Sequence, residues 1–285
     1  MTPGGDAGGA GAVAVVGLGL IGGSIARDLA ADGVPVTGVD RDAAVLRSAA
    51  REGVLRDAAA PGDPLPGDVE LVVVAIPVPV IPAFLARLAG AAPGTGPVVT
   101  DVASTKRSVL AAAAAAGLGR RFVGGHPMAG DHRSGWAASR RGLFAGTTTW
   151  ICPGAAESVA VARVTALWTR LGARPARIDP ERHDHLVALS SHLPQAASSA
   201  LAAVLARRGV APADLGPGGI GATRLAGSDP DLWTGILLDN AAEVAPALDD
   251  YGGRLAALRA ALLRGDAAAV RGWLAEGGAW ASGSP

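Results

Sequence analysis

Four short segments of this 285-residue chain concentrate side chains able to do chemistry. The first, Gly17-Leu18-Gly19-Leu20-Ile21-Gly22, is a GxGxxG in which glycines permit a tight turn and close backbone approach to a pyrophosphate. Asp40 lies 23 residues after Gly17, near the ~20 at which a carboxylate meets both hydroxyls of an adenosine ribose. A carboxylate there repels a 2′-phosphate, so NAD is favoured over NADP, while Arg41 pulls the other way because a guanidinium accommodates that phosphate. The second segment, Asp101-Val102-Ala103-Ser104-Thr105-Lys106, carries a serine and a lysine. The third, Gly124-Gly125-His126-Pro127-Met128-Ala129-Gly130, holds a histidine between glycines and a proline. The fourth runs from His183-Asp184-His185 to Ser191-His192-Leu193-Pro194-Gln195. Histidine, with an ordinary pKa of about 6.5, suits acid–base work near neutrality.

Each segment also has a plainer account. On that account the glycine loop only turns the chain, Ser104 caps a helix with Lys106 in solvent, and the histidines pack between helices. His183 and His185 stand two apart on a helix and face different sides, so no shared metal ion is expected.

The elements needed to position these segments are readable. Ala12–Val16, Val34–Val39, Leu71–Ile76 and Val98–Val102 are apolar runs without polar alternation, as in strands buried on both faces of a parallel sheet. Phe122–Gly125, Thr147–Cys152 and Ala173–Ile178 read as further strands. Helices are expected over Leu20–Ala31, from an Asp42 N-cap to about Glu52, and over Ser158–Leu171. Strands alternating with helices imply a doubly wound sheet in an α/β, Rossmann-type domain. The GxGxxG then follows a strand and opens a helix, and Ser104, His126 and the pair Ile76 and Pro77 fall at strand ends, where such sheets bind ligands. After Asp179 the pattern becomes helical, over Glu181–Arg208 and Leu232–Ala279. The expected organisation is a flexible tail over 1–11, a dinucleotide-binding domain over 12–179 and an all-α domain over 180–285. The apolar C-terminal helices have few charges to solvate them, which points to a homodimer.

Composition removes several classes. Hydrophobic residues make up 49% and charged residues 18%, enough for a sizeable core. Net charge is zero, which gives no case for nucleic acid or an anionic membrane. A lone cysteine, Cys152, excludes an internal disulfide or a multi-cysteine zinc site. No export signal or membrane span is visible, and the expected location is the cytoplasm. Of 25 basic residues, 24 are arginine and one is lysine, Lys106.

Together, GLGLIGGS, DVASTK, GGHPMAG followed by Ser134-Gly135, HDHLVALSSHLP and TRLAGSDPDLW resemble the prephenate/arogenate dehydrogenase family of tyrosine biosynthesis, in order from about Ala12 to Asn240. The resemblance implies NAD(P)-dependent oxidative decarboxylation, a Rossmann domain and a helical dimerisation domain. It places the catalytic histidine at His126, an orienting serine at Ser104 and the basic residue of that motif at Lys106. A substrate carboxylate would meet Arg224, and His183 and Trp233 would lie near the active site or the interdomain contact. The chain departs from the family at three places. Asp131-His132 puts an acid one residue early, Gln195 replaces a histidine, and Gly221 stands where some members have aspartate. All three departures touch the substrate side, so Asp131, His132 and Gln195 join the candidate substrate contacts.

In such a reaction hydride leaves the hydroxyl-bearing ring carbon, the opposite carboxylate departs as CO2, and aromatisation drives the step. A neutral His126 would weaken the O–H bond, so activity should rise with pH as the imidazole loses its proton. The reading is a prephenate dehydrogenase using NAD. The alternatives are arogenate or an amino-substituted analogue as substrate, a β-hydroxyacid-type dehydrogenase, or a non-catalytic dinucleotide sensor. The β-hydroxyacid type usually relies on a lysine in its helical domain, and this chain has none after Lys106.

Overall fold

The uninterrupted apolar runs form the interior of one sheet. The computed structural model describes residues 11–91, 96–130 and 133–283, so all but the last residue of the expected tail over 1–11 and the candidates Asp131 and His132 lie outside the described residues. Eight strands, β1 (Ala12–Val16), β2 (Val36–Val39), β3 (Asp57–Ala59), β4 (Val69–Val74), β5 (Val98–Asp101), β6 (Phe122–Pro127), β7 (Thr148–Cys152) and β8 (Arg174–Arg177), lie in the order β3-β2-β1-β4-β5-β6-β7-β8. Strand order reverses between β1 and β4, which leaves a crevice beyond their C-terminal ends.

Side chains alternate across the sheet with period two. Val13 and Val15 of β1 face one layer with Leu71 and Val73, under α1 (Leu20–Ala31) and α5 (Ser158–Arg170). Ala14 and Val16 face the other with Val72 and Val74, under α3 (Ile81–Ala91) and α4 (Arg107–Ala115). Between β2 and β3 runs α2 (Ala43–Arg51), whose N-cap is Asp42, accepting from the Ala44 amide at 2.8 Å.

Two features differ from the sequence reading. β3 was not expected, because Asp57–Ala59 is short, largely exposed and carries no apolar run. β7 pairs antiparallel with β6, so the doubly wound sheet is parallel only in part. Antiparallel neighbours need no crossover helix, and the described residues joining these strands hold only a one-turn 3₁₀ helix, Trp136–Ala138.

The helical half opens with α6 (Pro180–Val187), where Asp179 caps the Glu181 and Arg182 amides and Pro180 occupies the first turn. A π-helical turn, Ala188–His192, leads into α7 (Leu193–Arg207). α8 (Pro217–Thr223), α9 (Pro230–Asp239), α10 (Ala241–Arg264) and α11 (Ala267–Ala281) follow. The two long helical stretches of the sequence are therefore broken. The last break is at Gly265, whose φ of +66° ends α10 in the left-handed conformation.

Candidate active site

The glycine loop is built as a cradle. Gly17 has φ +88°, and a Cβ on it would strike the Ala75 carbonyl and Ile76. A Cβ on Gly22 would collide with the Gly17 carbonyl oxygen, whereas one on Gly19 would meet open space. Two glycines thus close the turn and the middle one leaves room for something else. Gly19 caps α1 without a side-chain hydrogen bond, so the first amides of the helix, starting at Leu20 and Ile21, keep the free N–H groups and positive dipole end that bind anions. Leu20 itself is buried in the core, and Ile76 and Pro77 follow the end of β4 at the reversal point. Asp40 follows β2 directly, its Oδ2 accepting from the Leu18 amide at 2.7 Å and its Oδ1 from the Asp42 amide at 2.9 Å. Each oxygen retains a lone pair, so the carboxylate is fixed and still able to accept from a ribose. Arg41 beside it is exposed. These residues fit a dinucleotide.

His126 lies near the C-terminal end of β6, and the loop after it reaches the cradle. A Cβ on Gly130 would come within 3.7 Å of Ile21 and 4.0 Å of Leu20. His126 Nδ1 is 2.9 Å from His183 Nε2, and His183 Nδ1 is 2.8 Å from Asp184 Oδ1. The Asp184 carboxylate also accepts from the amides of Lys106 at 2.8 Å and Arg107 at 3.0 Å, the N-terminus of α4, and from Arg107 Nε at 3.3 Å. Burial alone would raise the Asp184 pKa, but the hydrogen bonds from His183 and from the Arg107 and Lys106 amides together hold it below the ordinary value. The His126 pKa is driven well below 6.5, first by desolvation and then by His183, Lys106 and His192. His126 is therefore a neutral imidazole near pH 7, with 8% of its surface still open.

Several sequence candidates move. Lys106 is not placed to act on a substrate. Its side chain is fully buried, paired with Asp101, and its Nζ donates to the Gly125 carbonyl at 2.7 Å. Asp101 Oδ1 accepts from the Gly125 amide at 3.0 Å. The pair clamps the backbone one residue before His126, because Lys106 folds back under β6 instead of leaving the sheet. His183 is likewise no substrate contact, being fully buried with both ring nitrogens engaged. Ser104 is half-buried, and among the described residues it is His183, not Ser104, that holds the His126 ring. Arg224 is exposed at the start of a 3₁₀ turn, Arg224–Gly227. Gln195 is buried and its Nε2 donates to the Leu225 carbonyl at 2.8 Å, which fixes that turn, while its Oε1 has no protein partner among the described residues. His192 packs edge-on against Trp233 and is held by Asn240 at 3.2 Å. Its pKa is pushed down to about 4, chiefly by burial. His185 faces outward to Glu243, opposite His183.

Asp184, Asp101 and Asn240 were missed as site residues. Asp184 had a signal, since on α6 the residues His183, Asp184 and Val187 share the buried face, and a buried carboxylate needs strong partners.

A dinucleotide cradle at the sheet reversal, a buried neutral histidine just before the loop that approaches it and a helical second domain define a nucleotide-dependent dehydrogenase. Residues 25–176 match the family model described as prephenate dehydrogenase, nucleotide-binding domain, and residues 179–276 match prephenate dehydrogenase, dimerization domain. The chain belongs to the prephenate dehydrogenase family. It is 32% identical over 253 residues to the prephenate dehydrogenase of Bacillus subtilis, covering 84% of this chain and 67% of that one. It is 31% identical over 269 residues to the cyclohexadienyl dehydrogenase of Zymomonas mobilis, covering 89% of each. The fold is similar to that of A. aeolicus prephenate dehydrogenase in complex with hydroxyphenyl propionate and NAD+, with TM-score 0.84 and 28% identity over 93% of this chain and 94% of that one.

Proposed function

We propose that the chain catalyses NAD-dependent oxidative decarboxylation of prephenate to 4-hydroxyphenylpyruvate. The observation that carries the reading is the neutral His126, buried near the end of β6 just before the loop whose Gly130 approaches the first turn of α1. When bound, NAD supplies the hydride acceptor. The cradle glycines and the α1 amides would hold its pyrophosphate and Asp40 its ribose, with Ile76 and Pro77 beside them at the end of β4. His126 takes the proton from the oxygen of the ring hydroxyl as hydride leaves the carbon that bears it. The opposite carboxylate then departs as CO2, and the ring becomes aromatic. Ser104 stands at the strand end for the same hydroxyl. Arg224 offers a planar fork for the side-chain carboxylate, on the turn that Gln195 fixes. Asp40 supports NAD over NADP by its negative charge.

Steady-state NADH or NADPH formation with prephenate and arogenate, each with NAD and NADP, tests this directly. Turnover of prephenate with NAD at the higher kcat/KM is the expected result. A preference for arogenate would move the substrate to the amino acid, and turnover of neither would remove the reading.

The same reading includes a homodimer in the cytoplasm. Leu255, Leu262, Leu263, Leu274 and Trp280 of α10 and α11 are exposed, Trp280 by 85%, which a second copy would cover. No helix among the described residues is long and apolar enough to cross a membrane.

A further inference from the structure

We propose that His183 and Asp184 are positioning residues that set the tautomer of His126, leaving its Nε2 bare to receive the substrate's proton. The inference rests on the function proposed above and adds to it how the base is kept in its working form.

Asp184 is anchored by the Lys106 and Arg107 amides and by Arg107 Nε, all of which are donors. With its pKa held low it is a carboxylate, able only to accept. His183 Nδ1, at 2.8 Å from Asp184 Oδ1, must then carry a hydrogen. Taken as the single hydrogen of that ring, it leaves His183 Nε2 bare to accept. Its neighbour at 2.9 Å, His126 Nδ1, must be the donor. His126 has no second hydrogen to spare, and Nε2 is left with its lone pair. The competing arrangement has an imidazolium at His183 donating to both neighbours. That would put the His126 hydrogen on Nε2, where nothing could receive the hydroxyl proton.

The same chain answers a difficulty. A histidine whose pKa lies far below 6.5 is a weak base on its own, since its cation is poorly solvated. When Nε2 gains the substrate proton, the Nδ1 hydrogen still points at His183 Nε2 and can pass to it, while His183 Nδ1–H stays on Asp184. One proton enters, no other leaves, and the positive charge is shared along a line that ends on a carboxylate. Asp184 reaches His126 only from the helical domain, so the orientation of the base depends on α6 being docked against α4 and β6.

The test uses the full chain labelled with 15N-histidine. Protonated and bare ring nitrogens of neutral imidazole are well separated in 15N shift, and His126→Asn assigns the signals. The expected spectrum of the wild type at pH 7–8 shows His126 with hydrogen on Nδ1 and a bare Nε2. A His126 with hydrogen on Nε2 overturns the proposal, whatever the variants do. Asp184→Asn replaces a group that can only accept by one that can also donate, which removes the fixed acceptor of the His183 Nδ1 hydrogen and frees both tautomers. It should lower kcat about 10²–10⁴-fold with substrate KM within about 3-fold, the size of a wrong-tautomer effect in catalytic histidines. His183→Gln, which retains an acceptor in one orientation, should keep at least about tenfold more kcat than His183→Leu. Equal loss in both, or a loss appearing in KM alone, also counts against the proposal. If neither prephenate nor arogenate is turned over but the Nδ1–H tautomer is observed, the function falls and the tautomer assignment stands.

Discussion

At the scale of single residues, His126 and Arg224 are expected to separate chemistry from binding. His126→Asn should lower kcat about 10²–10⁴-fold with little change in KM, because it removes a group acting on the proton in flight. Arg224→Ala should raise substrate KM strongly, since a carboxylate contact is made in ground and transition states alike. Steady-state kinetics on both variants decides this. The low pKa of His126 corrects one expectation. The rise of activity with pH belongs well below 6.5, so the His126 limb of a kcat/KM profile should be absent between pH 6.5 and 8. A limb centred near 6.5 that vanishes in His126→Asn would contradict the burial described here. His126 was legible in the sequence because glycines and a proline isolate it at a strand end. Its partner was not, because spacing along a chain does not say that positions 126 and 183 meet.

At the scale of elements, the glycine loop gives a paired prediction. Gly22→Ala drives a Cβ into the Gly17 carbonyl and should cost folding stability as well as cofactor affinity. Gly19→Ala meets no protein atom within 4 Å, so its Tm should stay close to that of the parent while dinucleotide affinity falls at least tenfold. Thermal melts with and without NAD, read beside a binding titration, check both. The cradle was legible because strand, glycines, helix and Asp40 follow one another in sequence, and local rules suffice. β1 and α1 match their expected bounds for the same reason. β3 escaped because an exposed three-residue edge strand has no apolar signature, and it is recruited only by the backbone of β2. The reversal of β7 was hidden in the stretch before it, where a missing crossover helix counts for more than any residue in the strand itself. Lys106 came into the candidate site only as the basic residue of a resembling motif, and only the packing of the fold shows its charge used on Asp101.

At the scale of the whole molecule, two buried neutral histidines tie stability to pH. His126 and His192 have pKa values below 6.5, that of His192 at about 4, so the unfolded chain binds more protons than the folded one just below pH 6.5. Their contribution is complete above pH 6.5 and is lost progressively as pH falls toward the folded values. Scanning calorimetry should show Tm falling by roughly 5–10 °C between pH 7 and 5, taking about 2–4 °C per kcal/mol for a chain of this size. A Tm unchanged over that range would mean that the two rings are open to water. The contacts that bury them span both halves of the chain: His126 to His183, Lys106 and Arg107 to Asp184, and Ser108 to Asp239 at 2.6 Å. Acid should therefore loosen the interdomain seam before the sheet.

The buried Lys106 has a practical side. It is the chain's one lysine, it has no exposed surface, and the one cysteine, Cys152, is buried with its thiol pushed up to about 12. Reagents that acylate amines or alkylate thiols thus find no side-chain target on the folded protein, apart from the α-amino group of the chain. Amine cross-linkers would leave a dimer unjoined through its lysines even where the subunits touch. Conversely, acylation of Lys106, followed by mass spectrometry, becomes a clock for the moments when the Asp101 clamp lets go and β6 loses its hold on His126.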